Sequence, residues 1–386
     1  MAHTNSPLSA PHAHTADRAL GTGIAGTAPD YIRAISPYIP GKPVSELARE
    51  FGLDEKDIIK LASNENPLGP SPKALAAIAR AALELTRYPD GAGFELKAAI
   101  GRRNNVDPRQ IVLGNGSNDI LEFAAHTFLR PGTSAIYARH SFAVYPLATQ
   151  AFGATGIEVP AIEFGHDLDA MRRAIRDDTR IVWVANPNNP TGTWLPPERV
   201  KAFIASVPRH VLVVLDEAYN EYLAPEQQAN TAAWLAEFPN LVLSRTFSKA
   251  YGLAALRIGY GLMDASVAAM FERVRQPFNV NALAQAAALA ALDDADYVRE
   301  SCEKNRAGMA QLEQGFGTLG LDFIPSHANF ICVKVGDAAT VNLALLKRGI
   351  IVRPVANYAM PEYLRVTIGT TAENTRFLRA LGDIVV

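Results

Sequence analysis

Lys249 stands in the run Ser244-Arg-Thr-Phe-Ser-Lys-Ala-Tyr-Gly-Leu-Ala-Ala-Leu-Arg257, among residue types that suit a lysine holding an aldehyde cofactor by its phosphate. A Schiff-base lysine must be partly desolvated so that its amine is a usable nucleophile, and hydroxyls with a fixed arginine can clamp a dianion beside it. Thr246, Ser248 and Arg257 have the spacing for that clamp. Taken alone, the run also reads as a surface lysine after a strand with an ordinary core arginine. The other parts of such a site must therefore be found elsewhere in the chain.

Asp216-Glu-Ala-Tyr219 follows the apolar run Val211-Leu-Val-Val-Leu215. A carboxylate there can pair with a protonated pyridine nitrogen and keep the ring electron-withdrawing; the plainer reading is a turn or capping aspartate. Asn186-Pro-Asn-Asn-Pro-Thr-Gly192 is a rigid polar turn after another apolar run, and its Asn189 could donate to a ring hydroxyl, as could Tyr219. Gly114-Asn-Gly-Ser-Asn118 leads into a helical stretch. Free N–H groups and the helix dipole at such a start favour a phosphate near Ser117 and Asn118, although Ser117 could equally be a simple N-cap. Phe142 could stack on a ring or belong to the core. Together these residues supply every part that one cofactor needs, pyridoxal 5'-phosphate, with Lys249 as the amine.

The elements that must position them alternate between about 107 and 262. Short β-rich runs (110–113, 135–137, 180–184, 211–215, 241–243 and 257–260) are separated by helical candidates at 119–129, 167–176 and 197–207. Apolar strands alternating with helices predict an α/β fold with a mostly parallel sheet covered on both faces, whose ligands lie at the carboxyl ends of the strands. Beyond about 278 the pattern changes to helices at 281–292 and 295–319 and strands near 329–335 and 363–368, which predicts a smaller α+β domain. The expected division is a flexible tail at 1–30, an arm at 31–61 packing on the small domain, a large cofactor-binding domain at 62–278 and a small domain at 279–386.

At 386 residues the chain has room for two lobes and a cleft. With 48% hydrophobic and 20% charged residues and a net charge of −2, nothing points to nucleic acid or a membrane surface. No apolar run approaches a bilayer span. Two cysteines make no disulfide framework and fit a reducing cytoplasm, and eight scattered histidines give no metal-ligand spacing, so no metal site is expected. Gly21-Thr-Gly23-Ile-Ala-Gly26 matches a dinucleotide fingerprint, but no apolar strand precedes it and no βαβ unit encloses it.

From Leu61 onward the motifs resemble one family. Leu61-Ala-Ser-Asn-Glu-Asn-Pro67, Arg87-Tyr-Pro-Asp90, Gly114-Asn-Gly-Ser117, Asn186-Pro-Asn-Asn-Pro-Thr-Gly192, Asp216-Glu-Ala-Tyr219, Arg245-Thr-Phe-Ser-Lys-Ala-Tyr251, Pro277-Phe-Asn-Val-Asn281 and Leu364-Arg-Val-Thr367 look like the histidinol-phosphate aminotransferase group of fold-type I pyridoxal-phosphate enzymes. The resemblance covers about residues 31–386. It implies transamination of histidinol phosphate with 2-oxoglutarate in histidine biosynthesis, with Lys249 holding the cofactor and shuttling the proton and Asp216 as pyridine partner. It further implies a homodimer in which Tyr88 reaches the neighbour's cofactor phosphate, Arg365 as donor-carboxylate ligand, and Arg353 with Tyr38 assisting at the substrate phosphate.

Two departures bear on the substrate. Gly116-Ser-Asn-Asp119 replaces the family's usual Gly-Ser-Asp-Glu, and His140-Ser-Phe142 replaces a proline-initiated turn. Both match a branch linked to aromatic amino acids, which leaves phenylalanine and tyrosine as the alternative substrates. A decarboxylase or lyase of the same fold would keep all the cofactor residues. A ligand sensor would need a DNA-binding module, which the near-neutral charge argues against.

Overall fold

The computed structural model describes residues 23–38 and 40–385. The chain divides into two compact units, Met1–Tyr38 and Ile39–Val386. In the first, a 3-10 turn at Ile24–Thr27 and a one-turn helix at Asp30–Arg33 occupy part of the stretch expected to be a flexible tail. Most of that tail, and the beginning of the Gly21–Gly26 pattern, lie outside the described residues.

The second unit carries three sheets. Its strands, in chain order, are β1 (Ile59–Lys60), β2 (Ile111–Gly114), β3 (Ser134–Ala138), β4 (Thr155–Val159), β5 (Thr179–Ala185), β6 (Leu212–Asp216), β7 (Leu241–Thr246), β8 (Gly259–Met263), β9 (Phe323–Ile324), β10 (Phe330–Lys334), β11 (Ile350–Ile351), β12 (Arg353–Pro354) and β13 (Tyr363–Thr367). The largest sheet has seven strands in the order β2-β8-β7-β6-β5-β3-β4. β8 runs antiparallel to both its neighbours, and the remaining pairs are parallel.

Period-two alternation distributes the apolar strand residues between two cores. Val182, Val184, Val213, Leu215, Leu241 and Leu243 enter one, with residues of the helices Phe94–Asn104 and Pro197–Ser206. Ile181, Trp183, Leu212, Val214 and Val242 enter the other, with the helices Ser117–Phe128, Val144–Ala151 and Ala265–Val274. Each buried valine or leucine side chain stabilises the fold by about 1.5–3 kcal/mol, so the sheet is held rigidly from both faces. Its strand ends can then present side chains to a fixed geometry.

The second sheet is antiparallel, in the order β12-β13-β10-β9, and shares a core with the helices Ala295–Thr318, Ala338–Lys347 and Thr371–Val385. β1 pairs in parallel with β11, and the helix Val44–Phe51 packs its Leu47 and Ala48 with Leu346 and Ile351.

Three sequence expectations are revised. The strand read at 257–260 begins at Gly259 and runs antiparallel, because Arg257 adopts φ +56° and ends a short turn instead. The helix Ala282–Leu292, assigned to the small domain, places Ala284, Ala287, Ala288, Ala291 and Leu292 in the core of the large sheet, so packing with that sheet continues past residue 278. Alanines allow this helix to lie close to the helix Pro72–Ala81. The edge strand β4 was missed; its outward residues are mostly exposed, so it lacks an apolar run.

Candidate active site

Every predicted cofactor residue of the large sheet lies just past a strand end on the same edge. β2 leads to Gly116 and Ser117, β3 to Phe142, β5 to Asn189, β6 ends at Asp216, and β7 ends at Thr246 and leads to Ser248 and Lys249. Because β8 runs in reverse, the residue just before it, Arg257, is delivered to that edge as well.

The Lys249 amine donates to the Ser63 carbonyl at 3.1 Å and lies 5.7 Å from the centre of the Tyr219 ring. Burial pulls its pKa down to about 7, with the Arg365 and Arg257 charges adding to the effect. A lysine in this state supplies a substantial neutral fraction at physiological pH. Asp216, 6% exposed, accepts from the Tyr145 hydroxyl at 2.8 Å and from the Ala218 amide at 3.2 Å. Burial raises its carboxyl to about 6 against the pull of those two donors.

A hydrogen-bonded row connects the turns of the large sheet to β13 of the small sheet. The Tyr219 hydroxyl accepts from Asn64 at 2.9 Å and from Asn189 at 3.2 Å, and the Asn189 side-chain oxygen accepts from Arg365 Nη1 at 2.6 Å. Arg365 Nη2 donates to the Ala62 carbonyl at 2.9 Å, whereas its Nε is buried with no hydrogen-bond partner. A buried guanidinium with an orphaned N–H is costly unless an anion completes it. Arg353 lies directly opposite Arg365 across the β12–β13 pair, which puts both side chains on one face of the sheet.

The anion cradle is built on glycine. Gly116, at φ +84°, is the N-cap of the helix Ser117–Phe128, so Ser117 is the first helical residue and not the cap. A Cβ at Gly116 would overlap the Arg257 guanidinium, and one at Gly259 would overlap the Ser117 amide. Arg257 Nη1 donates to Ser248 Oγ at 3.4 Å, and the Ser248 amide donates to Thr246 Oγ1 at 3.1 Å. Two hydroxyls, a guanidinium and a helix N-terminus thus converge, a donor set that fits a phosphate. Gly116→Ala should strain the turn at this positive φ and displace Arg257. Cofactor-phosphate affinity, read by titrating the apoprotein with pyridoxal phosphate, should fall about tenfold, the scale of one charge-assisted bond.

The remaining predicted residues are placed differently. Phe142 meets Tyr145 edge to face, with ring centres 5.9 Å apart. Asn118 is exposed on the first turn of its helix. Tyr88 is 82% exposed and stacks on Phe278 at 4.8 Å. Tyr38 is half exposed and is the last residue of the N-terminal unit. Sequence reasoning missed Tyr145, although it follows Phe142 at a helical i, i+3 spacing, and gave Asn64 no role of its own. Among the described residues there is no cluster of three or more potential metal ligands, and no helix is long and apolar enough to cross a membrane.

The family model of aminotransferase class I and II matches residues 56–381. Histidinol-phosphate aminotransferase 1 of Thiobacillus denitrificans is 61% identical over 361 residues, 94% of each chain. Histidinol-phosphate aminotransferase of Methylobacillus flagellatus is 60% identical over 93% of this chain and 97% of its own. The crystal structure of histidinol-phosphate aminotransferase from Sinorhizobium meliloti in complex with pyridoxal-5'-phosphate superposes with a TM-score of 0.85 at 30% identity, covering 92% of this chain and 96% of that one. The chain belongs to the class I and II aminotransferases and, within them, to the histidinol-phosphate aminotransferase family. Its fold is that of the fold-type I enzymes, its activity is amino transfer and its substrates are small molecules.

Proposed function

We propose that the protein moves an amino group between histidinol phosphate and 2-oxoglutarate, a step of histidine biosynthesis, using pyridoxal 5'-phosphate held by Lys249. The observation that carries this reading is the buried row Lys249, Tyr219, Asn189 and Arg365, in which a near-neutral amine and an incompletely bonded guanidinium sit within one polar network. When bound, the cofactor supplies an aldehyde carbon that accepts the amino group and a pyridine ring that withdraws electrons.

The chain's own residues do the rest. Thr246, Ser248, Arg257 and the Ser117–Asn118 helix start would hold the phosphate, the Asp216 carboxylate would accept a hydrogen bond from the protonated ring nitrogen, and Asn189 with Tyr219 would face the ring hydroxyl. Phe142 would cover one face of the ring. Lys249, once free and neutral, would take the proton from the substrate α-carbon as general base and, as general acid, deliver it to the carbon that the cofactor brings as its aldehyde. Burial favours its uncharged form, so the amine is in the right state for the first of these steps.

Arg365 would take the carboxylate of the amino donor, and Arg353, facing the same side of the small sheet, would serve the substrate phosphate. A phosphate dianion with three acceptor oxygens suits two cations better than one. Arg353→Ala should therefore lower kcat/KM for histidinol phosphate by about 10- to 100-fold, the equivalent of one or two charge-assisted bonds. The loss with phenylalanine should be smaller. Equal losses with both substrates would mean that Arg353 only braces the sheet, and a wild-type preference for phenylalanine or tyrosine would establish the aromatic reading.

The enzyme is further proposed to be a cytoplasmic homodimer in which Tyr88 completes the partner's phosphate site. Its solvent-facing stack on Phe278 supports this, since two large rings in water are an unfavourable surface unless covered. Both described cysteines are free and buried, in keeping with a reducing compartment. Tyr88→Ala and Lys249→Ala chains, each nearly inactive alone, should regain activity when mixed, because one site of each mixed dimer is intact. Recovery no greater than either parent would place Tyr88 outside the partner's site.

A further inference from the structure

The strongest interaction that Asp216 makes comes from a residue with no assigned part in the site. Tyr145 is 1% exposed on the helix Val144–Ala151, and its ring lies flat on Trp183, 5.4 Å between centres and 3° from parallel. Phe142 closes the ring's edge at 5.9 Å. Thr149 Oγ1 donates to the Tyr145 carbonyl at 2.7 Å and accepts from Trp183 Nε1 at 3.3 Å, so ring, stacking partner and helix backbone are joined in one loop. The hydroxyl that emerges from this mount points at Asp216 Oδ2 from 2.8 Å.

Nothing in that mount can rotate without breaking a stack or a hydrogen bond. Burial and the adjacent carboxylate hold the Tyr145 phenol well above its ordinary value, so the group stays protonated and can only donate to Asp216. A carboxylate has about four acceptor positions. Tyr145 and the Ala218 amide engage one oxygen each and leave acceptor capacity for a ring nitrogen. A buried Asp216 would otherwise tend to take up a proton, and a neutral carboxyl is a poor partner for a cationic pyridine.

We propose that Tyr145 is a positioning residue for amino transfer: its fixed hydroxyl keeps the Asp216 carboxylate ionised and directed to the cofactor's ring nitrogen. The proposal rests on the reading that Asp216 is the partner of that nitrogen. The other groups acting on Asp216 are Lys249, which favours its ionised form, Glu217, which opposes it, and the Tyr219 phenol. Glu217 is itself neutralised by Arg245 at 2.8 Å, and Lys249 becomes uncharged above about pH 7. Tyr145, like the Ala218 amide, is a donor whose contribution does not change with pH in the working range.

Tyr145→Phe keeps the stack and removes one oxygen, and two measurements test it. The first uses full-length apoprotein, where no cofactor reading enters. The Asp216 carboxyl titrates higher in the folded chain than its ordinary value, so the stability it contributes is present at low pH and is lost as pH rises through about 6. Without the Tyr145 donor the folded-state pKa rises further, so the melting-temperature gap between Tyr145→Phe and wild type should be wider at pH 8 than at pH 5. In an Asp216→Asn background the gap should not change with pH. A gap equal at both pH values, or one that widens in the Asp216→Asn background as well, overturns the proposal.

The second measurement is pyridoxal phosphate binding at pH 8, followed by absorbance. Tyr145→Phe should bind about tenfold more weakly or worse, as expected when a hydrogen bond to a charged group is lost, and the pH midpoint of its cofactor absorbance should move. Unchanged affinity and midpoint overturn the proposal. If instead Asp216→Asn binds the cofactor and turns over like wild type, the nitrogen-partner reading fails, while the apoprotein result still reports on the Tyr145–Asp216 bond.

Discussion

Lys249→Ala should abolish amino transfer, and borohydride treatment of the variant with pyridoxal phosphate should leave no cofactor attached to the chain. The amine is the proposed nucleophile, its Tyr219 neighbour lies at 5.7 Å, and burial lowers its pKa to about 7. In the wild-type apoprotein, cofactor capture should accelerate as pH rises through about 7 and level off above it, because only the neutral amine attacks an aldehyde. Arg365 is the largest charge contributing to that lowering. Arg365→Gln should therefore shift the midpoint of capture upward while leaving capture itself intact. Peptide mapping that found the reduced adduct on a different lysine would refute the assignment of Lys249.

Asp216→Ala is expected to slow turnover by about two to three orders of magnitude, the scale on which a preorganised electrostatic partner contributes. The borohydride-trapped attachment at Lys249 should persist in this variant. The division follows from placement. Asp216 ends β6 and is held by Tyr145 and the Ala218 amide, whereas Lys249 follows β7 and is held by the Ser63 carbonyl. Removing one leaves the other's immediate contacts in place. Turnover within a few-fold of wild type would show that Asp216 is a structural strand-end residue, as its position alone would also allow.

The structural alternative is filled by its neighbour. Glu217 accepts from Arg245 Nε at 2.8 Å and from Thr231 at 2.8 Å, and Arg245 also reaches Asn104 at 2.7 Å and Thr231 at 3.0 Å. This closed network ties the ends of β6 and β7 to the flanking helix and turn. Two adjacent carboxylates are thereby divided, Glu217 into a structural ion pair with Arg245 and Asp216 toward the Tyr145 hydroxyl and the Ala218 amide.

The order of chemistry-bearing residues along the chain was legible because each follows an apolar strand. Val211–Leu215 before Asp216 and Arg180–Val184 before the Asn186–Gly192 turn are too apolar to be anything but buried strands. A parallel sheet then necessarily collects their carboxyl ends on one edge. Lys249, Asp216, Asn189 and the hydroxyls near Lys249 could be found in this way, before any contact was known.

Contacts between segments distant in the chain were not legible. That Asn64 donates to Tyr219, 155 positions away, depends on how the β1 segment and the large sheet come together. Arg353 and Arg365 share a face only because β12 and β13 pair in the register that sets them opposite each other, and a one-residue slip would separate them. Arg257 reaches the Gly116 cradle through a left-handed backbone turn and a reversed strand, neither of which its apolar neighbours imply. Local residue type and strand period determined what chemistry each segment could offer. The pairing register and the packing of Tyr145 against Trp183 decided which of those groups face one another, because these depend on the free energy of the whole core and not on any one segment.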